Sequence, residues 1–280
     1  MNNLNIRIAI ITNGNFFSRI ILEPLLLKYT RNVVGIVFVD GDYRGRTGFR
    51  ALWEVGRKTA FPYLAYKVTQ HVLFKLVQAM NPKAWIELEA VTKDLGLPGL
   101  HVRKVNSPEV HNWLQGLRPD LLISVSCPQR ISPKLLRLAR IAALNVHSSL
   151  LPRYAGLAPY YWVLAEGETF TGVTVHYMTE EFDAGNILVQ KTLPIPPRAT
   201  AFGLFEKLAS LGSEALLEAV DLALEGDPGK PQDLRQRTYF SHPTWPSYWK
   251  MKRNGYEIVR ISELVIALRK ALTSSHMQVE

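Results

Sequence analysis

The stretch IRIAIITNGNFFSRIILEPLLLKYTRNVVGIVFV, residues 6–39, sets the fold class. Ile6–Ile11 is a short apolar run that closes in Thr12-Asn13-Gly14-Asn15, which reads as a buried strand and its turn. Ser18–Tyr29 reads as a helix, bent or restarted at Pro24. Val33–Val39 is a second β-branched run. Strand, helix and strand in this order form a parallel βαβ unit, because a crossover helix is what joins parallel neighbours.

The alternation continues outward. Leu100–Val105, Asp120–Ser126 and Ala143–His147 read as further strands. Ser107-Pro108 and Ser132-Pro133 each start a helix, with Ser as N-cap and Pro in the first turn. Thr171–Met178 and Asn186–Ile195 read as an antiparallel closing pair. Gly203–Gly226 is a long amphipathic helix, with Leu204, Leu208, Leu211, Ala215, Ala219 and Leu222 on one stripe. The expected fold is α/β: a Rossmann-like, mostly parallel twisted sheet flanked by helices. Residues 44–81 interrupt it as a helical insertion rich in Lys, Arg and aromatics, with Tyr63–Met80 as an amphipathic helix. The main domain is read as 1–226 and a short C-terminal extension as 227–280, adding a turn or a short strand.

Composition bounds the function classes. Of 280 residues, 47% are hydrophobic, enough to build a core, so global disorder is excluded. A net charge of +9 suits nucleic acid, anionic lipid or a polyanionic ligand, and also many ordinary enzymes. Cys127 is the single cysteine, which excludes an internal disulfide and a Cys-cluster zinc site. The first residues lack a secretory leader pattern and no apolar run approaches the ~20 residues of a membrane span, so the expected location is cytoplasmic. The histidines other than His147 form no H-x-H or H-x-x-x-H pair, so no metal is expected. Glycine-rich dinucleotide and Walker loops are absent from the sequence.

A second stretch, LNVHSSLLPRYAG (Leu144–Gly156), carries the chemistry. In an open parallel sheet, ligands bind beyond the carboxyl ends of the strands. Period-two alternation puts Asn145 and His147 on one face there. An amide donor beside a proton carrier suits a carbonyl that becomes an oxyanion, as in acyl transfer. Asp183, two residues before Gly185, supplies a carboxylate to orient the imidazole. On these residues alone a plainer reading stays open, in which His147 caps a strand and Asp183 makes an Asx turn.

The order of four blocks adds a resemblance. They are Asn145-x-His147, then Ser149-Leu150-Leu151-Pro152-x-Tyr154-x-Gly156, then Gly172-Val173-Thr174, then Asp183-Ala184-Gly185-x-Ile187. This pattern, with 36 residues from His147 to Asp183, closely resembles the core of the 10-formyltetrahydrofolate-using formyltransferases. The resemblance runs over Asp120–Ile195 and extends, less closely, to the N-terminal βαβ region. It implies a catalytic trio of Asn145, His147 and Asp183, with an amine attacking a formyl carbon and 10-formyltetrahydrofolate as co-substrate. It implies a folate site between Ser126–Ile131 and Thr179–Asp183, with Gln129, Arg130, Ile131, Glu181 and Phe182 as lining candidates. Asn13, Gly14, Arg153 and Tyr154 are the acceptor-side candidates. Cys127, in the folate loop, is read as a small packed residue, and His176 as packed or pairing on its strand.

The expected acceptor is a primary amine of a small metabolite: an amino sugar, a nucleotide sugar or an amino-bearing lipid or natural-product precursor. A tRNA acceptor is not expected, since tRNA-directed relatives add a C-terminal β-barrel and 54 residues follow Gly226 here. The basic face of residues 58–80 is compatible with weak contact to anionic membrane. Two other readings stay open: a formyltetrahydrofolate hydrolase, and a non-catalytic membrane- or RNA-binding module on the same fold.

Overall fold

The computed structural model describes residues 6–40, 56 and 58–274; residues 44–55 and 57 of the expected insertion lie outside the described residues. Strand β1 (Ile8–Thr12) and strand β2 (Val33–Val39) flank helix α1 (Phe16–Lys28). The helix starts two residues before the expected position, because the Asn15 side chain accepts the Ser18 amide and caps it. Pro24 lies inside this helix, which continues to Lys28.

Strands β3 (Gly99–Val102), β4 (Leu121–Val125) and β5 (Ala142–His147) continue the parallel set. A two-residue β6 (Ala155–Gly156) precedes β7 (Phe170–Tyr177) and β8 (Ile187–Pro194), which close the sheet antiparallel. The order β3-β2-β1-β4-β5-β7-β8 reverses its direction of growth between β1 and β4. That reversal opens a crevice at the carboxyl ends of β1 and β4, where an α/β sheet takes its ligand.

Both faces of the sheet are covered, so the strands are near-continuous apolar runs. Ile8 and Ile10 point into a core shared with Phe17, Leu22 and the long helix. Ala9 and Ile11 point to the other face, against Val110 and Leu114. The second face is covered in part by α4 (Pro108–Leu117), which Ser107 caps through the Val110 amide. The Ser132-Pro133 start yields only one turn, α5 (Pro133–Leu136), with turns after it.

Helix α2 (Phe61–Met80) covers part of the first face, followed by the short α3 (Leu88–Asp94). Tyr63, Tyr66, Gln70 and Phe74 of α2 are buried, with Phe74 edge-on to Phe16 at 4.9 Å. Helix α6 (Pro159–Glu166) follows β6, and α7 (Ala201–Glu225) spans the first face. Thr200 caps α7, and Gly226 ends it in the left-handed region at φ 82°.

The tail carries more than the expected turn or short strand. It forms β9 (Tyr239–Phe240), parallel to β6, then α8 (Trp245–Arg253) and α9 (Ile261–Ser274). A reciprocal capping box between Thr244 and Ser247 starts α8, with Pro246 in its first turn. Met251, Leu264, Ala267 and Ala271 enter the same core as the sheet. Among the described residues, no helix is long and apolar enough to cross a membrane.

Candidate active site

A cleft of about 620 Å³ opens at the carboxyl end of the parallel strands. Asn145 and His147 of β5 form part of its wall, as do Asn13 beyond β1 and Ser126 beyond β4. His147 is 7% exposed, and its Nε2 lies 2.9 Å from the carbonyl oxygen of Tyr154. A carbonyl only accepts, so Nε2 carries the proton and Nδ1 turns toward Asp183. The distance from Nδ1 to Asp183 Oδ1 is 3.7 Å.

His176 joins this group. Register pairs it with Asn145 across β5 and β7. Its Nδ1 donates to the Tyr177 carbonyl at 2.8 Å, which leaves Nε2 to accept from Asn145 Nδ2 at 3.2 Å. Nε2 also lies 3.7 Å from Asp183 Oδ1. The carboxylate therefore sits between two imidazoles, while its Oδ2 accepts the Gly156 amide at 2.9 Å. Burial alone would raise the Asp183 carboxyl; the charge of a protonated His147 beside it and the Gly156 amide outweigh burial and hold the group well below the usual carboxylate range.

The backbone delivers this carboxylate from an uncommon conformation. Asp183 has φ 51°, which Asp tolerates better than most side chains. Two residues on, a Cβ on Gly185 would stand 1.9 Å from the Tyr177 carbonyl oxygen, so the turn can close onto the end of β7 only with glycine. Ser126 and Ala158, both on the cleft wall, are also left-handed, at φ 54° and 50°. Such clustering around a cleft is typical of sites whose geometry matters more than their local stability.

The expected lining residues of the two loops all reach the cleft. Their side chains divide into fasteners and walls. Gln129 accepts the Val105 amide at 2.9 Å and donates to the Arg103 carbonyl at 2.7 Å, tying its loop to the neighbouring one. Arg130 donates to the Glu180 carbonyl and lies 5.8 Å over the Phe182 ring, which bridges the two loops. Glu181 pairs with Arg237 of the tail. Ile131, Leu136, Val146 and Met178 are apolar wall residues between polar edges, a composition suited to a flat heteroaromatic ring. Cys127 donates to the Gln129 carbonyl at 3.2 Å, and burial pushes its thiol up to about 12, so it is protonated and inert.

The acceptor-side candidates fare differently. Asn13 lines the cleft, its Oδ1 accepting from Ser18 Oγ at 2.8 Å. Gly14 does not: its carbonyl accepts the Leu88 amide, and a Cβ there would meet the Phe38 ring at 2.8 Å. Arg153 and Tyr154 also point away from the cleft. Both bind Glu168, and the Tyr154 ring stacks on Phe240 at 5.2 Å. What Tyr154 contributes is its backbone carbonyl, the acceptor that orients His147.

The insertion and the tail supply a further part of the wall. Lys58 just before α2, Lys67 of α2, Tyr160 of α6, and Tyr239, Ser241 and His242 of the tail line it. Lys67 Nζ lies 5.4–6.0 Å from the ring centroids of Phe17, Tyr66, Tyr160 and Phe205, a cation held by π-faces on several sides. These rings come from four separate helices, so no local spacing could have announced the cage. His176, read from the sequence as packed or pairing on its strand, is buried and pairs with Asn145. Among the described residues, no cluster of His, Cys, Asp and Glu could hold a metal ion.

Comparison with known proteins agrees with this architecture. The family described as "Formyl transferase" matches residues 66–220. The methionyl-tRNA formyltransferase of Geobacter sulfurreducens is 38% identical over 139 residues, covering 50% of this chain and 44% of that protein. The chain thus spans about half the length of the curated relatives it matches. Two solved structures share the fold. Glycinamide ribonucleotide transformylase 1 of Symbiobacterium toebii has a TM-score of 0.57 and 19% identity, covering 82% of this chain and 95% of its own. The N-formyltransferase of Helicobacter canadensis, solved with folinic acid and dTDP-3-aminofucose, has a TM-score of 0.58 and 16% identity, covering 89% and 80%. With more than half of its length matched by the family pattern, the chain belongs to the formyl transferase family.

Proposed function

We propose that the protein transfers a formyl group from 10-formyltetrahydrofolate to a primary amine of a small metabolite, with Asn145, His147 and Asp183 as catalytic residues. The observation that carries this reading is the convergence of the buried Asp183 carboxylate, His147 Nδ1 and the Asn145 amide at one end of the cleft. In the reaction, the amine nitrogen attacks the formyl carbon, a new C–N bond forms and the bond from N10 of the folate breaks. Asn145 uses one amide hydrogen on His176 and has a second for the oxyanion. Because Nε2–H of His147 is bound to the Tyr154 carbonyl, Nδ1 is the position that gains and releases a proton beside the reacting carbon. Asp183, held ionised, orients His147 and balances the imidazolium while the proton leaving the amine passes through Nδ1 or water toward N10. The proton lost by the amine matches the one gained at N10.

The slot between Ser126–Ile131 and Thr179–Asp183 fits the pterin, with apolar faces and polar edges. The amine side is the wall of Lys58, Lys67, Tyr160 and His242. Substituting Ala for His147 or Asp183 is expected to cut turnover at least ~10²-fold while the fold survives. Near-normal turnover in either variant would sink the assignment.

The acceptor has a second reading, the amine of methionyl-tRNA, favoured by the likeness to methionyl-tRNA formyltransferases and by the lysines on the amine side. Conversion of 10-formyltetrahydrofolate to tetrahydrofolate, followed by absorbance with a panel of amines, separates the two. Turnover with amino sugars or nucleotide sugars supports the small-metabolite reading, and turnover with methionyl-tRNA alone replaces it. Turnover with no amine present makes the protein a hydrolase.

A further inference from the structure

Helix α2 is apolar on two opposite faces. Its inner face buries Tyr63, Tyr66 and Phe74. Its outer face carries Phe61, Val68, Val72, Leu76 and Met80, between 39% and 79% exposed. At 3.6 residues per turn these positions fall on one stripe about 30 Å long. An amphipathic helix normally turns one apolar stripe to the core, and this one carries a second stripe that is exposed.

The stripe is continued by its neighbours. Helix α9 packs against α2 and exposes Ile261, Val265 and Ile266. The start of α2 is tied to the segment before α8 by the Ala60 amide and the Pro243 carbonyl. Just beyond that bond, Trp245 and Trp249 of α8 are 48% and 58% exposed. Three helices thus carry most of the large exposed apolar side chains of the described residues.

Charge decides what covers this face. From Lys58 to Ile86 the sequence contains no Asp or Glu, while Lys75 and Lys83 are exposed along and beyond the stripe, with His71 beside them. On α9 the one carboxylate, Glu263, is engaged by Thr200 and the Arg260 amide. A second copy of this chain would bring like charges together across a twofold axis. An anionic bilayer instead offers a complementary headgroup layer and an apolar interior at the depth that Leu, Met and Trp side chains reach.

We propose that the outer face of α2, with α8 and α9, docks the protein peripherally on anionic lipid. Docking of this kind is reversible and salt-sensitive, since it combines shallow insertion with basic side chains.

The test is co-sedimentation of the full chain with vesicles of phosphatidylcholine alone or mixed with phosphatidylglycerol. Wild type is expected to sediment only with the mixed vesicles, to be released by salt, and to shift its tryptophan emission to the blue when bound. The double variant Val72→Glu/Leu76→Glu is expected to lose at least about tenfold in partition. These side chains are exposed, so near-UV circular dichroism should be unchanged. Lys75→Glu, which leaves the apolar stripe intact, is expected to weaken binding less. Absence of phosphatidylglycerol-dependent sedimentation by the wild type overturns the proposal, as does equal binding by the double variant. A wild-type dimer in velocity sedimentation that the double variant dissociates assigns the face to a second copy instead.

Discussion

The cleft and the outer face of α2 break opposite rules. In the cleft, a carboxylate and two imidazoles are buried where apolar groups are the norm, and each has a named partner. On α2, five large apolar side chains are exposed where polar groups are the norm. Buried polar groups and uncovered apolar stripes are the two departures that carry information, because an exposed Leu taken singly means little. The difference lies in what completes each region. The cleft holds its polar groups in place and is open in volume. The outer face is complete in its backbone and open in its contacts.

Substitutions on the two sides of one helix test that contrast most directly. Phe74→Ala, on the inner side of α2, is expected to cost about 3–5 kcal/mol of stability by leaving a cavity against Phe16, measured by urea unfolding. Next in size is Asp183→Asn in the cleft. Asn also tolerates the left-handed backbone, so the fold should survive while turnover falls at least ~10²-fold, about 2.7 kcal/mol of activation free energy. His176→Ala removes a positioning group for Asn145 and is expected to lower kcat about tenfold with KM for folate little changed. His176→Gln, which can still accept from the Asn145 amide, should restore part of the loss.

The acid side gives a smaller effect of definite sign. The folded-state carboxyl of Asp183 lies below its unfolded value near 3.9. Its stabilising contribution is therefore fully present above about pH 5 and is lost as pH falls through the depressed folded value. The stability gap between wild type and Asp183→Asn should narrow steadily in that acid range; a gap that widens on acidification contradicts the ion-pair geometry. Smallest of all is Val72→Ser on the outer side of α2, expected within about 0.5 kcal/mol of wild type by thermal unfolding. A loss comparable to that of Phe74→Ala would mean that the outer face is covered after all.

Much of this was readable where the signal is local. The parallel strands appear as apolar runs closed by turn residues, and Ser107, Thr200 and Gly226 act as the caps and stop their types suggest. Asn145 and His147 reach the cleft because a strand alternates by twos, and Asp183 because Gly185 permits its turn. Long-range register hid the rest. His176 meets Asn145 only because β7 pairs with β5 in one of several possible alignments. Tyr154 faces inward by its carbonyl and outward by its ring, a division that the left-handed φ of 59° creates and that no residue type announces. Helix α8 showed no legible stripe because aromatic and basic residues are mixed along it, and its burial depends on contacts with α6.

One small feature has a wider reach. Gly156 donates its amide to Asp183, while the residues on either side of it donate to the carbonyls of Thr238 and Phe240. A Cβ at this position would stand 2.3 Å from the Phe240 oxygen. The C-terminal segment is thus fastened to the reactive carboxylate through this backbone, and also through Gln232, which donates to the Asp183 carbonyl, and Arg237, which pairs with Glu181. A protease nick between 227 and 238 would leave the sheet intact yet loosen that fastening, so damage far along the chain would register first as lost activity rather than as unfolding.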